Sequence, residues 1–529
     1  MEVEDRFTDP LTSVSFTVEE AVNRCGFGWF QVKVSLFVGL LWAMNAVLIF
    51  LLIVVSPEAR CELNLTPLEE SLITTAAFSG TLVGSSIWGS LSDRYGRKKC
   101  LLINGVCVFL SVLMGCFAFN YSYLVASWAL LGFMISGEAS VVTFYSEFLP
   151  AKQRTISFLF IHVLFVLGIC FVVGAAVLVL TYFKLSWHWL NGVATAVVGL
   201  HFFLFLLITE SPYYLLTSGK NVEAKSVLER LAKDNKKTLP IGRLVLQQET
   251  KVSISLDADE EDYSEDFDVQ ELIASDPRPS KKRGRFRDLF ATSQQTATTV
   301  LLSLIWLCSS FGYFGSVLLT TERLDLLDVL HAENKTDGTV WPCGVGAADF
   351  RNISSKGQCE VLTMNDYFQF LWTSGAELPG LVITLLLAKY MGRKRLLALE
   401  LTVSGLSFFL LFICPLNKYL MMSIIFIIRS LITGSLQAVY MYTSEVYPTA
   451  IRSLGVGFCN AAGRAGALAC PFLAQVLIIQ TVRGTEATFG GLCILAGICS
   501  LFLPVETKNR KLKDKVAPKT DRKELLTIN

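Results

Sequence analysis

A short basic turn set between two membrane-length apolar runs constrains this chain more than any other feature. The stretch GSLSDRYGRKK at 89–99 holds Asp93, Arg94, Arg97, Lys98 and Lys99 around Gly96, and a reduced echo, KYMGRKR, stands at 389–395. Two further pairs keep step with it. EFLPAKQR at 147–154 returns as EVYPTAIR at 445–452, and Glu210-Ser-Pro returns as Glu506-Thr-Lys. The offsets are 392 − 96 = 296, 445 − 147 = 298 and 506 − 210 = 296 residues. Three landmarks at nearly one spacing mark a single membrane half used twice in the same orientation.

The residues between the landmarks fit that reading. Of 529 residues 52% are hydrophobic, too many for a soluble globule of this length, and the near-neutral charge points to no nucleic-acid partner. A membrane helix needs about 20 apolar residues. Twelve runs qualify, at about 34–55, 71–90, 100–119, 123–146, 156–180, 189–208, 297–320, 368–388, 396–415, 419–442, 454–479 and 487–504. The expected fold is therefore an all-α membrane protein with twelve transmembrane helices in two pseudo-symmetric six-helix bundles. The expected units are an N-terminal segment 1–33, a first bundle 34–208, an interdomain loop 209–296, a second bundle 297–504 and a tail 505–529.

Cations cluster in the loops after even-numbered spans (Arg94 to Lys99, Lys152, Arg154, Arg393 to Arg395, Arg452), which assigns those loops and both termini to the cytoplasm. The acidic start lacks a basic segment leading into a short apolar core, so no cleaved signal peptide is expected. The sequons fall on the other face. Asn64 and Asn120 crowd a span, whereas Asn334 and Asn352 lie in the long loop 321–367 and are the better glycan acceptors. The same loop holds Cys343 and Cys359, where a disulfide on an oxidising face is expected; other pairings, for instance with Cys61, stay open. Most other cysteines sit inside apolar runs as small buried hydrophobes.

Between the halves, residues 221–235 carry Val222, Val227, Leu228 and Leu231 at helical spacing, an amphipathic helix. The acidic run 257–268 reads as a solvated linker, and the basic run 281–287 as a headgroup-facing anchor for the seventh span.

These motifs together resemble the major facilitator superfamily in its sugar-porter and organic-ion branch. The entry FTVEEAV at 16–22, the loop GRFRDLF at 284–290, LLTTE at 318–322, ELPG at 377–380 and YTSEVYPTA at 442–450 resemble more narrowly the synaptic-vesicle-protein-related (SVOP and SVOP-like) group. The resemblance implies a central cavity, rocking alternating access and a monomer in the bilayer of a vesicle or the plasma membrane. It also implies gating charges at the cytoplasmic rim. Asp93 would latch onto a helix N-terminus of the other half, while Arg97, Glu147 and Arg154, with Glu445 and Arg452 opposite, would form interdomain ion pairs.

At mid-membrane the chain departs from that group. Asn45 and Leu48 stand where acidic residues are usual in the first span, and Trp128 stands where the fourth span usually opens with Arg, although Arg429 of the tenth is kept. A charge at bilayer depth needs a reason. The candidates for binding solute are Asn45, Trp128, Glu138, His162, Tyr313, Glu377, Arg429, Tyr440 and Arg464. A lone His on an apolar face is more often packed core than ligand, yet an imidazole is the side chain best suited to exchange a proton in the physiological range, which makes His162 a candidate. Arg464 favours an anionic solute, because a fixed guanidinium in a low-dielectric cleft attracts carboxylate or phosphate.

The expected partner is thus a small organic ion, with H+ as the coupling ion or with none. The competing reading is a carrier-shaped protein that binds a ligand or partner and moves nothing. No P-loop, no H-E-x-x-H metal-ligand set and no nucleophile elbow is present, so neither an enzyme, a metal nor a cofactor is expected.

Overall fold

The computed structural model describes residues 15–150, 153–205, 208–245, 286–332, 340–341, 364–413, 416–447 and 451–508. All twelve expected spans are helical there. In the first half they are Trp29–Leu63, Pro67–Tyr95, Arg97–Gly115, Tyr121–Glu147 with an interruption, Arg154–Tyr182 and Trp187–Phe205. In the second they are Ser293–Ala332, Met364–Tyr390 with a break, Arg393–Leu410, Lys418–Val446, Arg452–Gln480 with a π segment, and Val482–Leu501. Seven of these are long and apolar enough to cross a membrane by length and composition alone. Leu110, Leu167, Phe171, Leu178, Leu386 and Leu406 point outward along the spans, as side chains facing hydrocarbon do.

The helix ends follow from local chemistry. Thr66 caps the second span: its hydroxyl accepts from the Glu69 amide (3.3 Å), the Glu69 carboxylate accepts from the Thr66 amide (2.8 Å), and Pro67 takes the first helical position. The Thr66 amide and the Thr66 hydroxyl both donate to that carboxylate (2.8 Å each) and hold it below its ordinary range. The basic turn closes at Gly96, whose φ of +104° is a conformation that L side chains rarely adopt. Asn120 and Asn417 cap the fourth and tenth spans by accepting from Tyr123 and Tyr419.

Within each half the spans pack closely where glycine allows it. A Cβ on Gly132 would overlap the Ala77 carbonyl of the second span, and one on Gly380 would overlap the Ser430 carbonyl of the tenth. The second and fourth spans of one half are thus joined as the eighth and tenth are in the other, by small residues that let backbones approach.

The regular course of four spans is interrupted. The fourth passes through a 3-10 turn at Ser136–Glu138, the eighth breaks at Ala376, and the fifth and eleventh carry π segments at Val177–Tyr182 and Phe472–Leu477. Such irregular turns inside membrane helices gather at functional sites. Two of the candidate carboxylates, Glu138 and Glu377, stand at these interruptions.

On the basic face a small layer covers the first half. Strand β1 (Ser15–Phe16) pairs in parallel with β2 (Arg243–Leu244), and helix Val18–Cys25 buries Val18, Ala21, Val22 and Cys25. Helix Asn221–Asp234 packs against it, but its buried face is Ala224, Leu228, Leu231 and Ala232. Val222, expected on that face, is 85% exposed, because it lies about 200° around the helix from Ala224. Lys33 pairs with Asp234 (3.0 Å), and Asn235 joins the layer to the first span by donating to Gln31 (2.7 Å). On the opposite face the halves meet through aromatic contacts. Phe50 lies against Phe370 (5.7 Å) and Phe78 against Phe314 (4.8 Å between ring centroids). Strand β3 (Val340–Trp341) pairs antiparallel with β4 (Leu416–Asn417) there.

Candidate functional site

The eighth-span break places Glu377 at the start of helix Glu377–Tyr390, fully buried where the halves meet. One carboxylate oxygen, Oε1, accepts from Arg429 Nη2 of the tenth span (2.8 Å) and from the Tyr313 hydroxyl of the seventh (3.0 Å). The other, Oε2, lies 3.4 Å from His162 Nε2, and His162 belongs to the fifth span of the other half. Gln437 Nε2, two turns beyond Arg429, lies 3.4 Å from His162 Nδ1. Phe165 stacks on the imidazole (5.1 Å). A buried carboxylate is thereby matched by a guanidinium and hydrogen-bonded on both oxygens, as burial of charge requires. His162–Glu377 is a side-chain contact between the two halves, and an ion pair only when the imidazole is protonated.

Of the nine candidates, His162, Tyr313, Glu377 and Arg429 come together in this joint. Trp128 and Arg464 meet elsewhere, lining a cavity of about 30 Å³ together with Leu48, Phe78, Thr81 and Leu131. Arg464 is half-buried and has no hydrogen bond or ion pair among the described residues. Tyr440 packs edge-on against Trp306 (4.3 Å) and lies within electrostatic reach of Arg464. Asn45 is buried in the first span. Glu138 has its backbone in the 3-10 turn, and its side chain lies outside the described set.

At the basic face the repeat returns as the same set of residue contacts. Arg97 pairs with Glu147 (3.6 Å), whose carboxylate also takes the Ser211 hydroxyl, and Glu210 accepts from the Lys98 amide (3.1 Å). In the second half Arg393 pairs with Glu445 (3.6 Å), Glu445 accepts from the Thr507 hydroxyl (2.6 Å), and Glu506 accepts from the Arg393 and Lys394 amides (2.7 and 3.3 Å). Each terminal glutamate thus caps the N-terminus of the next helix, where a carboxylate is stabilised by the helix dipole.

These pairs correct one expectation. Arg97 and Glu147, expected to reach across the interface, meet each other inside the first half, and Glu445 likewise meets Arg393 inside the second. Arg154 turns to Glu19 of the N-terminal helix (3.3 Å). The reason is reach: the span-to-span turn sets each arginine directly beside its own half's glutamate. Asp93 and Arg452 occupy helical backbone positions with side chains outside the described set. Asn334, Asn352, Cys343 and Cys359 lie outside the described residues altogether.

Sequence reasoning missed Gln437 and two buried ion pairs. Arg323 pairs with Glu486 with its other nitrogen 3.5 Å from Met421 Sδ, and Arg60 pairs with Glu70 (3.3 Å) beneath Ser56. The signal for Gln437 was its spacing, eight residues after Arg429 and so on the same helical face. Cys61, taken as one loop thiol among several, is disulfide-bonded.

Two like-oriented six-helix halves, a buried polar joint between them and matched charge clusters at one rim define a secondary solute carrier. The chain belongs to the major facilitator superfamily, in the branch of the synaptic vesicle 2-related proteins. The model of the "Sugar (and other) transporter" family matches residues 32–275 and that of the Major Facilitator Superfamily residues 369–528. The synaptic vesicle 2-related protein of Rattus norvegicus is 36% identical over 512 residues, covering 97% of this chain and 85% of its own. The putative transporter SVOPL of Homo sapiens is 32% identical over 510 residues, covering 96% and 95%. Organic cation/carnitine transporter 7 of Arabidopsis thaliana is 30% identical over 519 residues, covering 95% and 97%. The inward-open xylose transporter XylE from E. coli shares the fold, with a TM-score of 0.59 at 15% identity over 91% of this chain and 98% of that one.

Proposed function

We propose that this protein carries a small organic anion across a vesicle or plasma membrane by alternating access, with both termini in the cytoplasm. One observation carries the choice of charge. Arg464 lines an interior cavity with no carboxylate beside it among the described residues, whereas the other candidate cation, Arg429, is already neutralised by Glu377. A guanidinium with unused donors in a low-dielectric cleft favours a bidentate carboxylate or phosphate. Trp128 beside it offers an indole face for an apolar or planar solute body. The relative named as an organic cation/carnitine transporter fits a charged organic solute but not its sign, so the choice of an anion rests on Arg464. The paired clusters at the basic face support a rocking motion, each stiffening its own half as a rigid body.

The experiment is uptake into proteoliposomes of a panel of organic anions and cations by the purified chain and its Arg464→Ala variant. The proposal expects anion uptake that falls at least tenfold in the variant. Cation uptake indifferent to Arg464, or anion binding without uptake, overturns it.

A further inference from the structure

The cross-half contact of His162 has more to say. Read as donors and acceptors, the distances fit one neutral arrangement: Gln437 donates to Nδ1, and the Nε2 proton is donated to Glu377 Oε2. A proton added at Nδ1 turns that nitrogen into a donor. The Gln437 amide accommodates it by rotating half a turn to present its oxygen, so the joint accepts either protonation state without a broken contact. The added hydrogen-bond strength falls on Oε2, the oxygen that His162 contacts, since Arg429 and Tyr313 occupy Oε1.

Other ionisable groups on the neighbouring spans bond within their own half: Glu400 of the ninth span accepts from the Thr384 hydroxyl (2.6 Å), and His201 of the sixth lies 2.8 Å from the Val197 carbonyl, whereas His162 bridges the two halves. The first span packs against the fifth through Gly39 on Leu164 and Gly168 on the Ala43 carbonyl, and carries its charges only near its ends, at Lys33, Glu58, Arg60 and Glu62. On the second-half side the charged groups facing His162 are Glu377 and, behind it, Arg429, with Asp366 and Lys389 at the far ends of the eighth span.

We propose that His162 is the proton-binding site of the transport cycle, and that it works by clasping Glu377 across the two halves. Loaded with a proton, the imidazolium holds the halves as they stand in this structure; unloaded, it holds them more weakly and frees them to rock. The inference rests on the carrier reading but not on the choice of anion.

The test is the distance between spin-labelled side chains at Phe119 and Tyr419, one on each half, measured on the full chain in lipid nanodiscs from pH 5 to pH 8.5. Both sites are well exposed. The expected result is that acidification raises the population of the short distance about tenfold, since a charge-assisted hydrogen bond is roughly twice as strong as a neutral one. His162→Gln flattens the profile and His201→Gln, in the sixth span, leaves it unchanged. Should His162→Gln fail to fold, Gln437→Glu serves instead, because a carboxylate at Nδ1 moves the midpoint up by about one pH unit. A flat wild-type profile, or one that survives His162→Gln, overturns the proposal. Loss of anion selectivity with an intact pH profile sinks the anion reading instead, so the two failures are separable.

Discussion

The Glu377–Arg429 pair gives the strongest energetic prediction. Glu377 is 0% exposed and Arg429 1%, at 2.8 Å, so each charge depends on the other for solvation. Arg429→Met strands the carboxylate with only the Tyr313 hydroxyl and His162, and loss of one partner from a buried pair costs about 3–5 kcal/mol. Glu377→Gln keeps an acceptor at Oε1 and strands the guanidinium, at a cost of roughly 2 kcal/mol. The double variant removes both charges together and restores much of the loss, so the interaction energy of the cycle is about 2–3 kcal/mol. The assay is reversible unfolding of the four proteins in mixed detergent–dodecyl sulfate micelles. Single-variant costs that add to within about 0.5 kcal/mol would refute the claim that these two groups neutralise each other.

Two further outcomes follow from the packing and the cysteines. Gly132→Val forces the second and fourth spans apart, because the Ala77 carbonyl fills the space, and destabilises by about 3 kcal/mol or more; Gly89→Ala, with nothing within 4 Å, is neutral or slightly stabilising in the same unfolding assay. Non-reducing peptide mapping joins the Cys61 peptide to one from the second half. Cys61 is bonded, the ten other described cysteines are free, and those that remain are Cys343, Cys359 and Cys414. A linear Cys61 peptide contradicts this.

The fold was legible because its cause is repeated. A basic turn, an E-x-x-P-x-x-x-R segment and a terminal glutamate recur at offsets of 296, 298 and 296 residues, and each recurs in the structure as the same constellation of contacts. Span positions followed from apolar run length, which the bilayer dictates directly. Partners were harder. That Arg97 meets Glu147 within its own half is a matter of side-chain reach, and periodicity is silent on reach. His162 was singled out as titratable, but its pairing with Glu377, 215 positions away, depends on how two halves dock. Val222 shows the same limit at short range, where helical spacing names several possible faces and only packing selects Ala224, Leu228 and Leu231.

The central claim is that two rigid halves rock about a shared cleft. It is tested most directly by pairing the Phe119–Tyr419 distance with a second one across the basic face, between labels at the exposed Tyr95 and Tyr390. The account predicts that turnover conditions shorten one distance as the other lengthens. Two distances that stay fixed, or that change in the same direction, contradict it.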